Sequence, residues 1–347
     1  MMQQRARTGW KRGACESRRR GPHWGIKGGD TMARTLVGLE ITEESVRAVE
    51  ITTGRMPKLV ASGEVALPPG AAKDSEVLDV DAVAVAIRQL WSRAGIKGRR
   101  VVLGIGSRRV LVREYTTQAM RPELLRQALP FQVQDLLPVP AHQAVLDFFP
   151  VSEHDGQVTG LLVAAVAETV EQLVATLAKA GLRTDLVDLV PFGLARLAGR
   201  LSPGESVAMV HVGDHTTHVV IAVDGVPRFV RVIPIDVPTA ATALRAAAER
   251  TDAPAALDPV VADLAHRVRS TIAFYGDRPD GTSISGIHLS GAGAALPGLR
   301  SALVGGLDIT VHEATLGDLV ALEQAQVPSE SALNLVSTVG VALGEAA

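Results

Sequence analysis

Residues 210–225 read VHVGDHTTHVVIAVDG. An apolar strand enters a short polar turn, Gly213-Asp214-His215-Thr216-Thr217. A second apolar strand leaves it, and a further turn ends in Gly225. A turn of this kind can converge its backbone N–H groups, which is the geometry that holds a phosphate. One residue departs from that outline. His211 stands where a phosphate-gripping hairpin usually carries a carboxylate to position Mg²⁺, and imidazole is a poor ligand for a cation that prefers hard oxygen donors.

The chain carries this device twice. LEITEESVRAVEITTG, residues 39–54, has the same order of strand, polar turn, strand and glycine turn. Glu40 lies as far before Gly54 as His211 lies before Gly225, and the two copies are offset by 171 positions. Val49 matches Val220, and Ile51 matches Ala222. A third strand follows each copy, at KLVASGEV and RFVRVIPI. Two β-meanders at one fixed offset indicate a duplicated α/β domain.

Helical and strand patterns alternate between the copies. DAVAVAIRQLWSRAG places Val83, Ile87, Leu90, Trp91 and Ala94 on one helical face, with Asp81 as the expected cap and Gly95 as the stop. RRVVLGIGSRRVLVREY reads as two strands around Gly106-Ser107. In RPELLRQALPFQVQDLLPVP, Pro122 opens a helix that Pro130 should kink or split. AVLDFFPV and TGLLVAAVA form another strand pair around Asp155-Gly156, and PFGLARLAG reads as a helix opened by Pro191. After the second meander come two Ala-rich helices, then a buried strand, glycine loop and helix in ISGIHLSGAGAALPGLRSAL. SALNLVSTVGVALG closes the pattern as an apolar helix.

At 347 residues, 47% apolar and 21% charged, the chain has the composition of a globular protein with room for two lobes. Aromatic residues make up only 3%, so the core must be built from Val, Leu, Ile and Ala. Charge is unevenly spread. Residues 1–31 carry a net +6, with Cys15, Trp10 and Trp24 among them, and show no apolar periodicity; the remainder carries −8. The first segment is expected to be a disordered basic extension, with organised alternation starting at Thr35. The body has no cysteine, which excludes disulfides and thiolate metal sites there. No apolar run approaches the ~20 residues of a bilayer span, and the acidic body argues against a nucleic-acid partner. The expected location is cytoplasmic. There is no G-x-x-x-x-G-K-[ST], serine hydrolase or zincin motif.

VGLEITEESVRAVEI near the start, LPFQVQDLLPVPAHQAVLDFFPV in the middle and LSGAGAALPGLRSAL near the close stand in an order and spacing that resembles the PilM family of type IV pilus assembly. The resemblance spans about residues 32–345. It implies an α/β, actin/Hsp70-like, duplicated ribonuclease-H-like two-lobed fold with an inserted α/β subdomain in the first lobe. The first lobe would run 32–204, its core 32–106 and 182–204 and its insertion about 107–181. The second would run 205–347, its core 205–238 and 284–347 and a helical subdomain about 239–283. The family also implies ATP and Mg²⁺ in a cleft between the lobes. Its expected partner is the short cytoplasmic tail of a bitopic membrane protein, PilN, gripped by the first lobe and its insertion, which would recruit the chain to the inner face of the plasma membrane. Contact with the pilus motor ATPase and self-association are further partner expectations.

Carried over by position, the nucleotide would meet Glu40, Thr42, Glu43, Glu44, Ser45 and Arg47 of the first turn. From the second it would meet Gly213, Asp214, His215, Thr216 and Thr217. Arg269, Ser270, Gly291, Ala292 and Gly293 would complete the set, with Glu40 and Asp214 as metal positioners. Several of these depart from the family pattern. Thr42 replaces a glycine, and its β-carbon limits close approach of phosphate. Glu43 and Glu44 put negative charge beside a polyanion, at about 1–4 kcal/mol per unscreened contact. ATP binding is therefore expected to be weakened and hydrolysis doubtful. Three other readings remain: a zinc site from His211, His215 and His218, a sugar-kinase-like enzyme of the same fold, and an FtsA-like division filament protein. Leu136-Leu137-Pro138-Val139-Pro140 is a candidate wall of the tail groove, or ordinary packing under a proline-rich loop.

Overall fold

The computed structural model describes residues 35–249, 257–278, 281–305, 309–322 and 329–346; the basic segment 1–31 lies outside the described residues. The first half runs β1 (Thr35–Ile41), β2 (Ser45–Thr52), β3 (Leu59–Ala66), β4 (Ala72–Lys73), β5 (Glu76–Val77), α1 (Val80–Ala94), β6 (Arg100–Ile105), β7 (Leu111–Gln118), α2 (Pro122–Gln132), β8 (Ala144–His154), β9 (Gln157–Val166), α3 (Ala167–Lys179), β10 (Arg183–Leu189) and α4 (Val190–Leu201). The second runs β11 (Ser206–Val212), β12 (Thr216–Val223), β13 (Val226–Pro234), α5 (Ala240–Glu249), α6 (Leu257–Gly276), β14 (Gly286–Ser290), α7 (Leu299–Val304), β15 (Thr310–Glu313), α8 (Leu316–Leu319) and α9 (Ser329–Ala342).

The duplication is visible residue by residue. β1 and β2 pair antiparallel from Thr35↔Thr52 to Ile41↔Val46. β11 and β12 pair from Ser206↔Val223 to Val212↔Thr217, every end displaced by 171. The two five-stranded sheets have matching orders, β3-β2-β1-β6-β10 and β13-β12-β11-β14-β15. In each, three antiparallel strands are extended by two parallel ones. Parallel neighbours require crossover helices on the faces, which the sequence supplies between them.

The sheets and helices form layers. α1 and α3 cover the outer face of the first sheet, over a core that includes Leu39, Val46, Ile87, Leu90, Trp91 and Leu177. α6 and α7 cover the outer face of the second, with Val210, Val219, Leu264, Val268 and Leu299 beneath. Between the sheets lie α4 and α9, crossed over. α4 ends the first half yet packs on β11, β12 and β13, whereas α9 ends the second half yet packs on β1, β2 and β6. Their shared apolar layer joins Leu36, Val49, Val102, Leu194, Val220 and Val339. The helices meet at Gly193 and Gly340. A β-carbon on Gly340 would lie 2.6 Å from the Gly193 carbonyl oxygen, and one on Gly193 would lie 2.9 Å from the Gly340 carbonyl carbon.

Some local expectations change. Asp79, not Asp81, caps α1, its Oδ1 accepting from the amides of Asp81 and Ala82 at 3.0 Å; Gly95 stops the helix at φ 68°. The strands around Gly106-Ser107 form but do not pair. Both edges of β6 are taken by β1 and β10, so β7 joins β9 and β8 in a separate three-stranded sheet. Pro130 does not split its helix, because it sits in the last turn, where a lost N–H costs one bond; α2 stops two residues later. The inserted sheet touches the body through Phe149 against Phe192, at a 5.4 Å ring separation, and through an Arg278–Glu114 ion pair.

Gly340→Val should clash at the α4–α9 crossing and cost about 1–3 kcal/mol or more of stability by urea unfolding. The exposed control Val85→Ala should stay within about 0.5 kcal/mol. Equal midpoints for the two would show that the crossing tolerates bulk.

Candidate functional site at the junction of the two lobes

Each turn is closed first on itself. In the first, the Thr42 amide donates to the Ser45 carbonyl at 2.8 Å, and Thr42 Oγ1 accepts from the Ser45 amide at 3.1 Å. In the second, at the equivalent positions, the Gly213 amide donates to the Thr216 carbonyl at 3.0 Å. The threonine in place of glycine needs no left-handed backbone, since Thr42 has no positive φ.

The turns then meet directly. His215 Nε2 lies 2.7 Å from Glu44 Oε1, a contact between equivalent positions of the two copies. Arg47 Nη2 reaches Asp214 Oδ2 at 2.9 Å, while Arg47 Nε donates to Glu64 Oε1 at 2.8 Å. From α5, Arg245 Nε pairs with Glu44 Oε2 at 2.8 Å, and its Nη2 donates to the Glu43 carbonyl at 2.7 Å. Thr239 Oγ1 donates to Asp214 Oδ1 at 2.6 Å, and His215 Nδ1 faces Asp236 Oδ1 at 2.8 Å. Glu40 is buried and accepts from Ser337 Oγ of α9 at 2.8 Å.

Burial and charge set the protonation. Burial raises the Glu40 carboxyl despite the nearby Arg47 guanidinium. Burial also works against a charged Arg47, but Glu64, Asp214 and Glu40 outweigh it and raise its pKa. Burial would lift Glu64, yet Arg47 holds it below the usual carboxylate range. His211 and His218 are pushed down by burial and stay neutral, with His211 Nδ1 3.0 Å from Ser290 Oγ and His218 Nε2 2.9 Å from the Gly106 carbonyl. His215 behaves oppositely. Burial pulls it down, but hydrogen bonds to Glu44 and Asp236 more than compensate and carry it up to about 9.

Most of the expected residues come together. Glu40, Thr42, Glu43, Arg47, Gly213, Asp214, His215 and Thr216 line a polar cavity of about 480 Å³. Glu44, Ser45 and Ala292 line a second, more apolar cavity of about 360 Å³ with Leu67, Leu244 and Arg245. Thr217 is fully buried in β12 and lines neither. Gly291 and Gly293 serve packing, because a β-carbon on either would fall 2.3 Å from Val212. Arg269 and Ser270 are not part of the junction; Arg269 donates to the Ala302 carbonyl at 2.6 Å, and Ser270 is exposed. Sequence reasoning missed Glu64, Thr239, Arg245, Asp236 and Ser337. Glu64 had a signal, since it is the oppositely charged cross-strand partner of Arg47.

The side chains do not fit a nucleotide triphosphate with Mg²⁺. Where Glu40, Glu64 and Asp214 converge, the cation is the Arg47 guanidinium. Both Asp214 oxygens already accept hydrogen bonds, and the Ala292 amide of the glycine loop goes to Asn334 Oδ1 at 2.8 Å. Glu40 and Asp214, assigned by position as metal positioners, are held here by Ser337 and by Thr239 and Arg47. Among the described residues no group of three or more His, Cys, Asp or Glu side chains is placed to hold a metal. The zinc reading fails with it: His211 and His218 have ring centres 6.3 Å apart, while His215 is turned to Glu44 and Asp236.

His215 gives the junction a pH dependence. Its folded pKa lies above the unfolded value of about 6.5, so its stabilisation is complete below that pH and is lost as pH rises through about 9. The wild-type urea midpoint should fall between pH 6.5 and 9.5. His215→Gln, which leaves Glu43, Glu44, Asp236 and Arg245 in place, should be lower at pH 6.5 and lose less over that interval. Parallel pH profiles would refute this.

Comparison with known proteins places this architecture. A protein chain solved as part of a PilM-PilN type IV pilus biogenesis complex is 26% identical, with a TM-score of 0.76 over 89% of this chain and 97% of that one. The ethanolamine utilization protein EutJ from Carboxydothermus hydrogenoformans, at 14% identity and a TM-score of 0.54 over 89% of each chain, shares the fold. The two lobes are thus the actin-like α/β arrangement that the family resemblance implies. The family model described as type IV pilus assembly protein PilM matches residues 38–232, which takes in the first meander, the inserted sheet and the second hairpin. The chain belongs to the PilM family of type IV pilus assembly proteins.

Proposed function

We propose that this protein is a scaffold of type IV pilus assembly that takes up the N-terminal cytoplasmic tail of a PilN-like bitopic membrane protein. The reading rests on one observation: the likeness to a chain solved in a PilM-PilN complex extends over 97% of that chain, insertion included. No helix among the described residues is long and apolar enough to cross a membrane. Attachment to the inner face of the membrane would come through the partner.

The inserted subdomain offers a surface for such a tail. On α2, Leu125 and Leu129 face the small core with Val133 and Leu162. The opposite side carries Leu124 and Phe131, one heptad apart on one helical face, 44% and 81% exposed. The proline-rich stretch contributes less than the sequence suggests: Leu136 and Leu137 pack into the subdomain core. An apolar peptide laid against Leu124 and Phe131 would gain from their burial, since covering a Phe or Leu side chain contributes ~1.5–3 kcal/mol. A kinase-like reading gains nothing from the junction, where the turn carboxylates are engaged in ion pairs or hydrogen bonds.

A synthetic peptide with the N-terminal tail sequence of a PilN-like bitopic membrane protein should bind the wild-type chain in a fluorescence anisotropy titration. Phe131→Asp should weaken it by roughly 10–100-fold, from the lost burial, without moving the melting temperature. Undiminished binding by Phe131→Asp and Leu124→Asp would move the site elsewhere, and no binding by wild type would remove the scaffold reading.

A further inference from the structure

Three features outside the tail site invite a function. The small cavity between the inserted sheet and the second lobe holds Arg228, whose buried Nε has no hydrogen-bond partner among the described residues, but nothing there identifies a ligand. The exposed Leu244 of α5 only adds to the wall of the second cavity, where nothing identifies an occupant. The contacts at the turns carry more.

We propose that this chain locks its two lobes together with its own side chains, Glu44 acting as a resident anion in the place where nucleotide phosphates would otherwise join the turns. A phosphate held between two lobes needs donors from both. Glu44 is given them: Arg245 Nε at 2.8 Å and His215 Nε2 at 2.7 Å, both from the second lobe, reach a carboxylate rooted in the first. Its residue is 5% exposed, so this anion is drawn out of solvent as a bound phosphate would be. The second contact, Arg47 to Asp214, also spans the lobes, and Arg47 is 1% exposed.

The pattern follows from the duplication. Glu43 and Glu44 occupy the positions of Asp214 and His215 in the other copy, and the tips meet by opposite charge at the second of these, Glu44 against His215. Three cations, Arg47, His215 and Arg245, are shared among Glu40, Glu43, Glu44, Glu64, Asp214 and Asp236. An entering triphosphate would have to draw Arg47 away from Glu64 and Asp214, leaving carboxylates unpaired in a buried site. The contacts also stand between the two cavities, with Glu43, Arg47 and His215 on the wall of one and Glu44 and Arg245 on the wall of the other.

The lock stands apart from tail docking: a chain that binds the tail but also takes up Mg-ATP would overturn it alone. Thermal melts of the full chain test it directly. About 5 mM Mg-ATP should move wild type by less than ~1 °C, where a bound nucleotide at a hundredfold its Kd would add on the order of 5 °C. Glu44→Gly removes the resident anion and should lower the melting temperature. About 10 mM pyrophosphate should recover several degrees in that variant and leave wild type unmoved. Should Glu44→Gly fail to fold, a double-mutant cycle with Glu44→Gln and His215→Gln replaces it, and the two changes should be strongly non-additive. Stabilisation of wild type by Mg-ATP, equal pyrophosphate shifts in both chains, or an additive cycle would each overturn the proposal.

Discussion

Two helices can cross at van der Waals contact of their backbones only where neither carries a side chain, and α4 and α9 do so at Gly193 and Gly340. The close approach fixes the spacing of the two sheets, because α4 lies on the second sheet and α9 on the first. Everything at the junction inherits that spacing. The turns after β1 and β11 project from equivalent strands of matched sheets, so setting one sheet against the other sets the tips against each other. A wider crossing would part Glu44 from His215 and Arg47 from Asp214, since ion pairs of 2.7–2.9 Å leave no slack.

The junction is an electrostatic structure built on an apolar one. The layer around α4 and α9 supplies burial, which is favourable and non-directional. The ion pairs supply direction. Buried pairs of this kind add little net stability, because desolvation offsets much of the attraction, but removing one partner is costly. Their value here lies in orientation: Arg47 joins β2 to β3 through Glu64 and lobe to lobe through Asp214. Neutral His211 and His218 line the same crevice and add no charge to it.

The duplicated hairpins were legible because period-two alternation and a fixed offset are both carried in one dimension. β1, β2, β11 and β12 reproduce the offset of 171 at all their ends. The junction was legible only in part. The turns were identified, but the partners that decide their chemistry come from distant segments: Arg245 from α5, Ser337 from α9 and Asn334 from the same helix. No periodicity announces those contacts. Glycine carried an ambiguous signal as well. Gly291 and Gly293 suggest a phosphate loop in sequence, yet their lack of a side chain is already demanded by Val212. The cap of α1 shows the same limit on a smaller scale: the pattern points to Asp81, and the geometry puts Asp79 there instead.

The exchange of α4 and α9 between the halves also bears on how the chain leaves the ribosome. The first sheet needs α9 to cover Leu36, Val49 and Val102, and α9 is translated last. From the end of α4 to the end of α9 is about 140 residues, so at roughly 5–20 residues per second that apolar face waits on the order of 10–30 s for its cover. During synthesis the nascent first lobe therefore presents an uncovered sheet to its surroundings, and chaperones are the natural guardians of it.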